Sequence, residues 1–434
     1  MSPDATDAGP SWLDEIPERL AALDAAHLTR RRRQVRPADG ASLWVDGRRM
    51  LAFCSNDYLG LSQHPALRAA AIAGARAYGV GSGASPMVSG HSEANAALEK
   101  ELAQFVELER ALYFYAGYAT NASIVPALVG PGDALFSDAL NHACLIDGAR
   151  LSKATIHRFA HADLANLDAQ LQASPARRKL VLSDAVFSMD GDMADVPALI
   201  ALCERHDALL LLDDAHGFGV CGPQGRGVLA AVGRTGAAAS RRVLYMATLG
   251  KAAGVSGACV AGSGALVEWL LQKTRSYTFA TAAPALLAES VRAALHVIRD
   301  EPARLWRLHD HVAALTKLKW FSPASGSADR VYRFSDATSR EGAYDQMLFA
   351  QRRQLHRAIA EWTERYHGND LAPRYPTLAR HWRAANEPAR AVHYLELAAD
   401  LARQKGAYED AQRYLNESLT IDATASVLSD GYGK

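Results

Sequence analysis

Between about residues 50 and 315 the chain alternates two textures. Short apolar or β-rich runs recur: RALYFYAG (110–117), ALFSD (134–138), KLVLSDAVFS (179–188), ALLLLDD (208–214) and VLYMATLG (243–250). Ala-, Leu- and Glu-rich stretches with helical spacing separate them. Strands that follow one another through helices pair in parallel, in a sheet covered on both faces. A run as continuously apolar as ALLLLDD suits such a sheet. The predicted fold is α/β, with a mainly parallel sheet. Ahead of it, WLDEIPERLAALDAAHLTRRRRQV predicts a helix over 11–34 with a basic end. After 316 the alternation stops. An irregular junction, 315–342, precedes mostly helical sequence to 420 and a frayed end, 421–434. The motif A-x-x-Y-L occurs at Ala391/Tyr394/Leu395 and again at Ala411/Tyr414/Leu415, which predicts stacked helices of solenoid type. In QRRQLHRAIAEWTERY, Leu355, Ile359 and Trp362 stand at helix-packing spacing.

Composition narrows the class without selecting a function. With 434 residues, two or three domains are expected. Lys plus Arg and Asp plus Glu both number 47, so the formal charge is zero and gives no reason to expect nucleic acid or an anionic membrane as partner. Five cysteines, none in a CxxC pair, read as reduced core thiols and not as a zinc or disulfide framework, so no metal is expected. The opening segment lacks the apolar stretch of a signal peptide, and no run approaches a membrane span, so the expected location is the cytoplasm.

Ligands of open α/β sheets gather at the carboxyl ends of the strands. LLLDDAHGFG puts Asp213, Asp214 and His216 at such an end, where the acids are expected to serve a ligand. In VLYMATLGKAAG, Lys251 follows the strand-like run by three residues. It reads either as a solvated surface lysine or as a lysine that forms a Schiff base, with glycines on both sides admitting a flat cofactor. YAGYATN (115–121) brings small residues and Tyr118 to a helix start, where free N–H groups suit a phosphate. A ring that acts as an electron sink needs an anion at its nitrogen and a lysine at its aldehyde, and this chain presents both. The run Arg30–Arg33 is either a solvated helix end or a clamp for a carboxylate or phosphate. The Gly-x-Gly of GVGSGASPMVSG follows no strand and is not read as a dinucleotide fingerprint.

Seven segments in order carry a resemblance: FCSNDYLGLSQHP, GVGSGASPMVSGHSEANAALEKELAQF, FYAGYATN, DALNHACLIDGARLS, VFSMDGDMADV, LLLDDAHGFGVCGPQGRG and TLGKAAGVSGACVAG. Over residues 11–315 the chain resembles the α-oxoamine synthases, pyridoxal 5'-phosphate enzymes of fold type I. The resemblance implies a division into an N-terminal helix and arm (1–50), a cofactor-binding large domain (51–315), a helical region (316–420) and a tail. It implies Lys251 as the Schiff-base lysine, Asp213 at the pyridine nitrogen and His216 beside the ring hydroxyl. Gly117, Tyr118, Ser188 and Thr248 match cofactor contacts, and His142 matches the histidine that stacks on the ring and meets substrate. Asn56 and Arg31 match substrate contacts. The implied reaction is a decarboxylative condensation of L-alanine with a pimeloyl thioester, on CoA or a carrier protein, by a homodimer. Glycine or serine remains open as the amino acid.

Departures accompany the resemblance. Asn95 stands where the family usually has histidine, and Pro86 where a basic residue is common. The family's C-terminal α/β lobe is not recognisable after 315. That region resembles the tetratricopeptide-like tail of multidomain signalling ATPases and nucleotide cyclases. The alternative reading is therefore a catalytically weak or dead fusion whose helical tail binds a protein partner.

Overall fold

The computed structural model describes residues 12–26, 28–38, 40–52, 54–317, 321–323, 332–334, 349–368, 371–404 and 407–429. One compact unit spans Cys54–Leu318; Met1–Phe53 and Lys319–Lys434 are grouped in a second. In the N-terminal segment, α1 (Trp12–Ala25) is shorter than the helix expected over 11–34 and buries no residue. A helix without a packed face lacks tertiary support. Arg30–Arg33 accordingly lie outside the helix and are exposed. An antiparallel sheet follows, β1 (Val35–Pro37), β2 (Ser42–Val45) and β3 (Arg48–Leu51). Asp46 and Gly47, both at positive φ, close its β2–β3 turn, as an Asp-Gly pair favours.

The large unit runs α2 (Pro65–Tyr78), α3 (Glu93–Phe105), β4 (Arg110–Phe114), α4 (Gly117–Leu128), β5 (Ala134–Asp138), α5 (Ala143–Ser152) and β6 (Thr155–Phe159). It continues through α6 (Leu164–Ala173), β7 (Lys179–Asp184), α7 (Val196–Arg205), β8 (Leu209–Asp213), α8 (Val228–Ala231), β9 (Val243–Thr248) and β10 (Ala258–Gly262). Helices α9 (Gly264–Lys273), α10 (Arg275–Thr278), α11 (Ala285–Asp300) and α12 (Pro302–Lys317) complete it. The seven strands form one sheet in the order β4-β10-β9-β8-β7-β5-β6. Only β10 is antiparallel to its neighbours. Successive side chains of a strand face opposite sides of a sheet. Leu210 and Leu212 enter one core with Val181, Phe136 and Tyr245, and Leu211 enters the other with Leu180, Leu182 and Met246. A fully buried leucine contributes about 1.5–3 kcal/mol, so this register is strongly held. The same alternation sends Asp213 and Asp214 to opposite faces.

The two departures have structural roles. Asn95 completes a capping box with Ser92 at the start of α3, and its Nδ2 donates to the Ala283 carbonyl. Pro86 follows Ser85, whose carbonyl accepts from Val88 and Gly90; the fixed φ of proline suits that second turn position.

In the second unit two short strands, β11 (Phe321–Pro323) and β12 (Tyr332–Phe334), pair antiparallel within the expected irregular junction. Residues 315–317 of that junction end α12, and the rest of it lies outside the described residues. Then come α13 (Phe349–Tyr366), α14 (Tyr375–Ala384), α15 (Pro388–Gln404) and α16 (Tyr408–Ser429), each packed on the next. The last helix runs past 420, where a frayed end was expected; 430–434 lie outside the described residues. On α13 Ala360 and Thr363 are buried and Ile359 and Trp362 half-buried, while Leu355 is exposed, so the packing face begins one turn beyond the start of the stripe read in the sequence. Glu364 ties three helices: Trp382 Nε1 and Tyr394 Oη donate to its Oε1 at 2.9 and 2.7 Å, and Arg390 donates to Oε2 at 3.0 Å. Trp382 is fully buried beneath the Arg390 guanidinium, 3.7 Å from its ring centre. Truncation of a buried tryptophan costs about 3–5 kcal/mol. Trp382→Ala should therefore lower the urea midpoint of the helical unit, followed by circular dichroism at 222 nm; an unchanged midpoint would contradict this packing.

Candidate active site

The carboxyl ends of β7, β8 and β9 meet the start of α4, and most of the candidate residues stand there. Asp213 ends β8 on the face that carries α4 and α5. Its Oδ2 accepts from Asn121 Nδ2 at 2.6 Å and its Oδ1 from the Ala215 amide at 3.0 Å. Asn121 lies one helical turn beyond Gly117, which puts it on the inner face of α4. Its Oδ1 is buried with no protein partner. Asp184, opposite Asp213 in the ladder, accepts from the His142 amide at 2.7 Å. Burial raises the pKa of Asp213, opposed by the Lys251 charge and by the two donors. Asp184 is raised well above the carboxylate range by burial and by the charge of Asp213 beside it.

Asp214, one residue on, belongs to the other face. Its Oδ2 accepts from the Val228 amide and from Tyr245 Oη, both at 2.8 Å, and burial pushes its pKa up to about 7. It anchors the loop between β8 and α8. The expectation that both acids serve a ligand is corrected for Asp214, because the alternation of the strand turns it into the opposite core.

Lys251 sits in a tight turn between β9 and β10, closed by Gly254 N–H to the Lys251 carbonyl and by Leu249 N–H to Gly257. Gly254 is required at positive φ: a Cβ there would lie 2.5 Å from the Ser62 nitrogen. Lys251 Nζ is 2.7 Å from His216 Nε2, and Tyr58 Oη is 2.6 Å from His216 Nδ1. Burial, together with the charge of Lys251, lowers the His216 pKa to about 4, so the imidazole is neutral at pH 7. Tyr58 donates to Asn56 Oδ1 at 3.3 Å, so its oxygen accepts from His216 Nδ1–H, and Nε2 accepts from Lys251 whether that group is ammonium or amine. Burial also lowers the Lys251 pKa, against the pull of Asp213 and Asp184, which favours the neutral amine a nucleophile needs.

His142 precedes α5, where its Nδ1 accepts from the Cys144 amide at 3.2 Å and lies 2.9 Å from Cys144 Sγ. Burial holds its pKa below the ordinary histidine value. A bonded Nδ1 leaves the proton on Nε2. Gly117 opens α4 behind Ala116, with no side-chain cap, so the first amides of the helix are available to an anion. A Cβ on Gly117 would stand 3.2 Å from Thr248 Oγ1, which places this helix start against the end of β9. Tyr118 is about half exposed and hydrogen-bonded to Asp147. Ser188 is exposed on the hairpin that leaves β7. Arg31 lies outside this unit, in the N-terminal segment, exposed and 4.0 Å from Asp24. Asn121, Tyr58, Asp184 and Cys144 were not singled out in the sequence. Asn121 could have been found by counting one helical turn from Gly117; Tyr58 carried no spacing signal.

The residues fit a phosphorylated pyridine aldehyde. A buried carboxylate, an amine in a glycine turn, an uncapped helix start and an orphaned Asn121 oxygen converge at one end of a sheet with one reversed strand. That combination defines a fold type I pyridoxal phosphate transferase. Residues 48–326 match the family model for aminotransferases of class I and II. An 8-amino-7-oxononanoate synthase of Paracidovorax citrulli is 74% identical over 306 residues, 70% of this chain and 74% of that protein. A serine palmitoyltransferase from S. paucimobilis, solved with a bound PLP–myriocin aldimine, aligns at a TM-score of 0.66 and 25% identity, covering 74% of this chain and 82% of that one. An 8-amino-7-oxononanoate synthase from Francisella tularensis aligns at 0.55 and 26%, covering 69% and 85%. The chain belongs to the class I and II aminotransferase family and, within it, to the 8-amino-7-oxononanoate synthases.

The opposite facing of the two acids can be separated by mutation. Asp214→Asn should lower the melting temperature and leave pyridoxal phosphate affinity within about 2-fold, since its partners are structural. Asp213→Asn should keep the melting temperature and lose turnover by at least about 100-fold. Calorimetry and steady-state rates check both; the reverse pattern would exchange the roles.

Proposed function

We propose that the chain condenses L-alanine with a pimeloyl thioester to give 8-amino-7-oxononanoate, CO2 and the free thiol, a step of biotin synthesis. The observation that carries this is the contact of Lys251 Nζ with His216 Nε2 beside the buried Asp213. Pyridoxal phosphate supplies an aldehyde for covalent attachment and a ring that withdraws electrons from the amino acid Cα. Lys251 would hold the aldehyde carbon through Nζ. Displaced by the incoming amine, Nζ would take the proton from Cα as general base and later return one. Asp213 would hold the proton on the ring nitrogen, and Asn121 would orient the carboxylate. His216, neutral and aligned by Tyr58, would offer its ring to the cofactor's hydroxyl without adding charge. His142, neutral with its proton on Nε2, would face the ring and donate to the acyl oxygen. The first amides of α4 at Gly117 and Tyr118, with the Ser188 and Thr248 hydroxyls, would hold the phosphate. Asn56 and Arg31 are assigned to substrate, Arg31 to a carboxylate, for which a guanidinium fork is suited. The new bond joins the alanine Cα to the acyl carbonyl carbon, the thiol leaves, and the Cα–carboxylate bond breaks to release CO2.

A homodimer is part of this reading. Val80 and Val88 of the glycine-rich loop and Phe279 are 78%, 80% and 71% exposed. Ser82 of that loop donates to the Ala282 carbonyl, so the three residues share one region. An apolar patch of this kind is suited to a second copy. The helical unit is assigned to protein contacts, with Tyr408, Leu415 and Leu419 exposed on its last helix.

The test uses the purified chain with cofactor, L-alanine and pimeloyl-CoA, with product read by mass spectrometry. Product is expected from the wild type, and glycine or serine in place of alanine should give little. Lys251→Ala should yield none, and borohydride should no longer fix the cofactor to the protein. Product formation by Lys251→Ala at wild-type rates would refute the assignment.

A further inference from the structure

His161 lies outside the constellation above, yet it joins two segments that reach it. The residue follows β6 in a turn where Ala162 is forced to positive φ. Its Nδ1 is 3.0 Å from Asp138 Oδ1 at the end of β5, and its Nε2 is 2.8 Å from Asp192 Oδ2 on the hairpin after β7. The ring stands edge-on to Phe187 at 4.5 Å. Both partners are carboxylates, which only accept, so the bridge requires a proton on each ring nitrogen. Burial works against that charge, but the two acids outweigh it and the pKa is raised. Asp138 and Asp192 are the charged groups acting on the ring from the elements packed against it. Asp138 is a rigid anchor: its side chain is 2% exposed and also accepts from the Leu140 and Ala162 amides. Asp192, by contrast, sits on a short hairpin held by the Val186–Met193 bridge and by Gly191 N–H to Phe187. Ser188 is at the tip of this hairpin.

We propose that His161 is a positioning residue: its imidazolium latches the 186–193 hairpin to the end of β5 and so fixes Ser188 where a phosphate contact needs it. The consequence for the cofactor rests on the assignment of Ser188 made above; the latch itself does not. A charge-assisted bridge of this kind is strongest while the ring is protonated and weakens as pH rises through the raised pKa of His161.

The experiment is amide hydrogen exchange of residues 186–193, with pyridoxal phosphate affinity measured by absorbance titration in parallel. His161→Phe keeps the ring and removes both hydrogen bonds; Asp192→Asn, at an acid whose side chain is 42% exposed, removes one charge and keeps the size of the side chain. Both variants should lower protection of the hairpin by about 10-fold, and wild-type protection should fall between pH 6 and 9 while that of β5 does not. Cofactor affinity should drop several-fold in each. Ser188→Ala should produce the same drop alone and add nothing to His161→Phe. Unchanged hairpin protection in Asp192→Asn or a foldable His161→Phe would overturn the latch. A lowered protection with normal affinity in Ser188→Ala would leave the latch standing and refute the Ser188 assignment.

Discussion

The structure turns on one buried carboxylate. Asp213 is 3% exposed at the end of a strand whose four preceding residues are leucines. An ionised acid in such a place is costly unless opposite charge and donors reach it. The Asn121 amide and the Ala215 N–H supply the donors, and the Lys251 charge acts on it from the next strand end. Asp184 competes for the same cations and is pushed toward its protonated form. The cluster thus favours a further cation near Asp213, and a pyridinium ring answers that need.

The rest of the large unit positions that cluster. Parallel strands bring their carboxyl ends to one edge, so residues more than a hundred positions apart in the chain stand together. The reversed strand β10 returns the chain at once after β9, which confines Lys251 to a short glycine turn instead of a long crossover. The leucine alternation along β8 divides the two acids between opposite cores. One faces Asn121 and the candidate site, and its neighbour fastens the loop that carries His216. The Lys251–His216–Tyr58–Asn56 chain then aligns an imidazole that burial and the Lys251 charge keep neutral.

Much of this was legible in the sequence because each signal was local. The alternation of apolar runs with helical stretches encodes the sheet, and a lysine between glycines after a strand encodes the turn. Asp213, His216 and Lys251 follow from their places at strand ends. Asp214 was read as a ligand acid because adjacency in sequence was taken for adjacency in space, whereas a strand sends neighbours to opposite faces. Asn121, Tyr58 and Asp184 act through contacts between segments far apart in the chain, which no periodicity records. The helix before the basic run stops at Ala25, because none of its residues is buried and it gains no tertiary support. Asn95, a departure in family terms, proved to be the third residue of a capping box, its side chain accepting from the backbone of the N-cap Ser92.

The most direct measurement is the 15N chemical shift of pyridoxal phosphate labelled at the ring nitrogen and bound to the wild-type protein. With Asp213 as the buried counter-ion, the signal should be that of a protonated pyridinium across pH 6–9, and it should move to the neutral-pyridine position in Asp213→Asn. A neutral-pyridine shift in the wild type would contradict the role given to Asp213 and, with it, the account of the site.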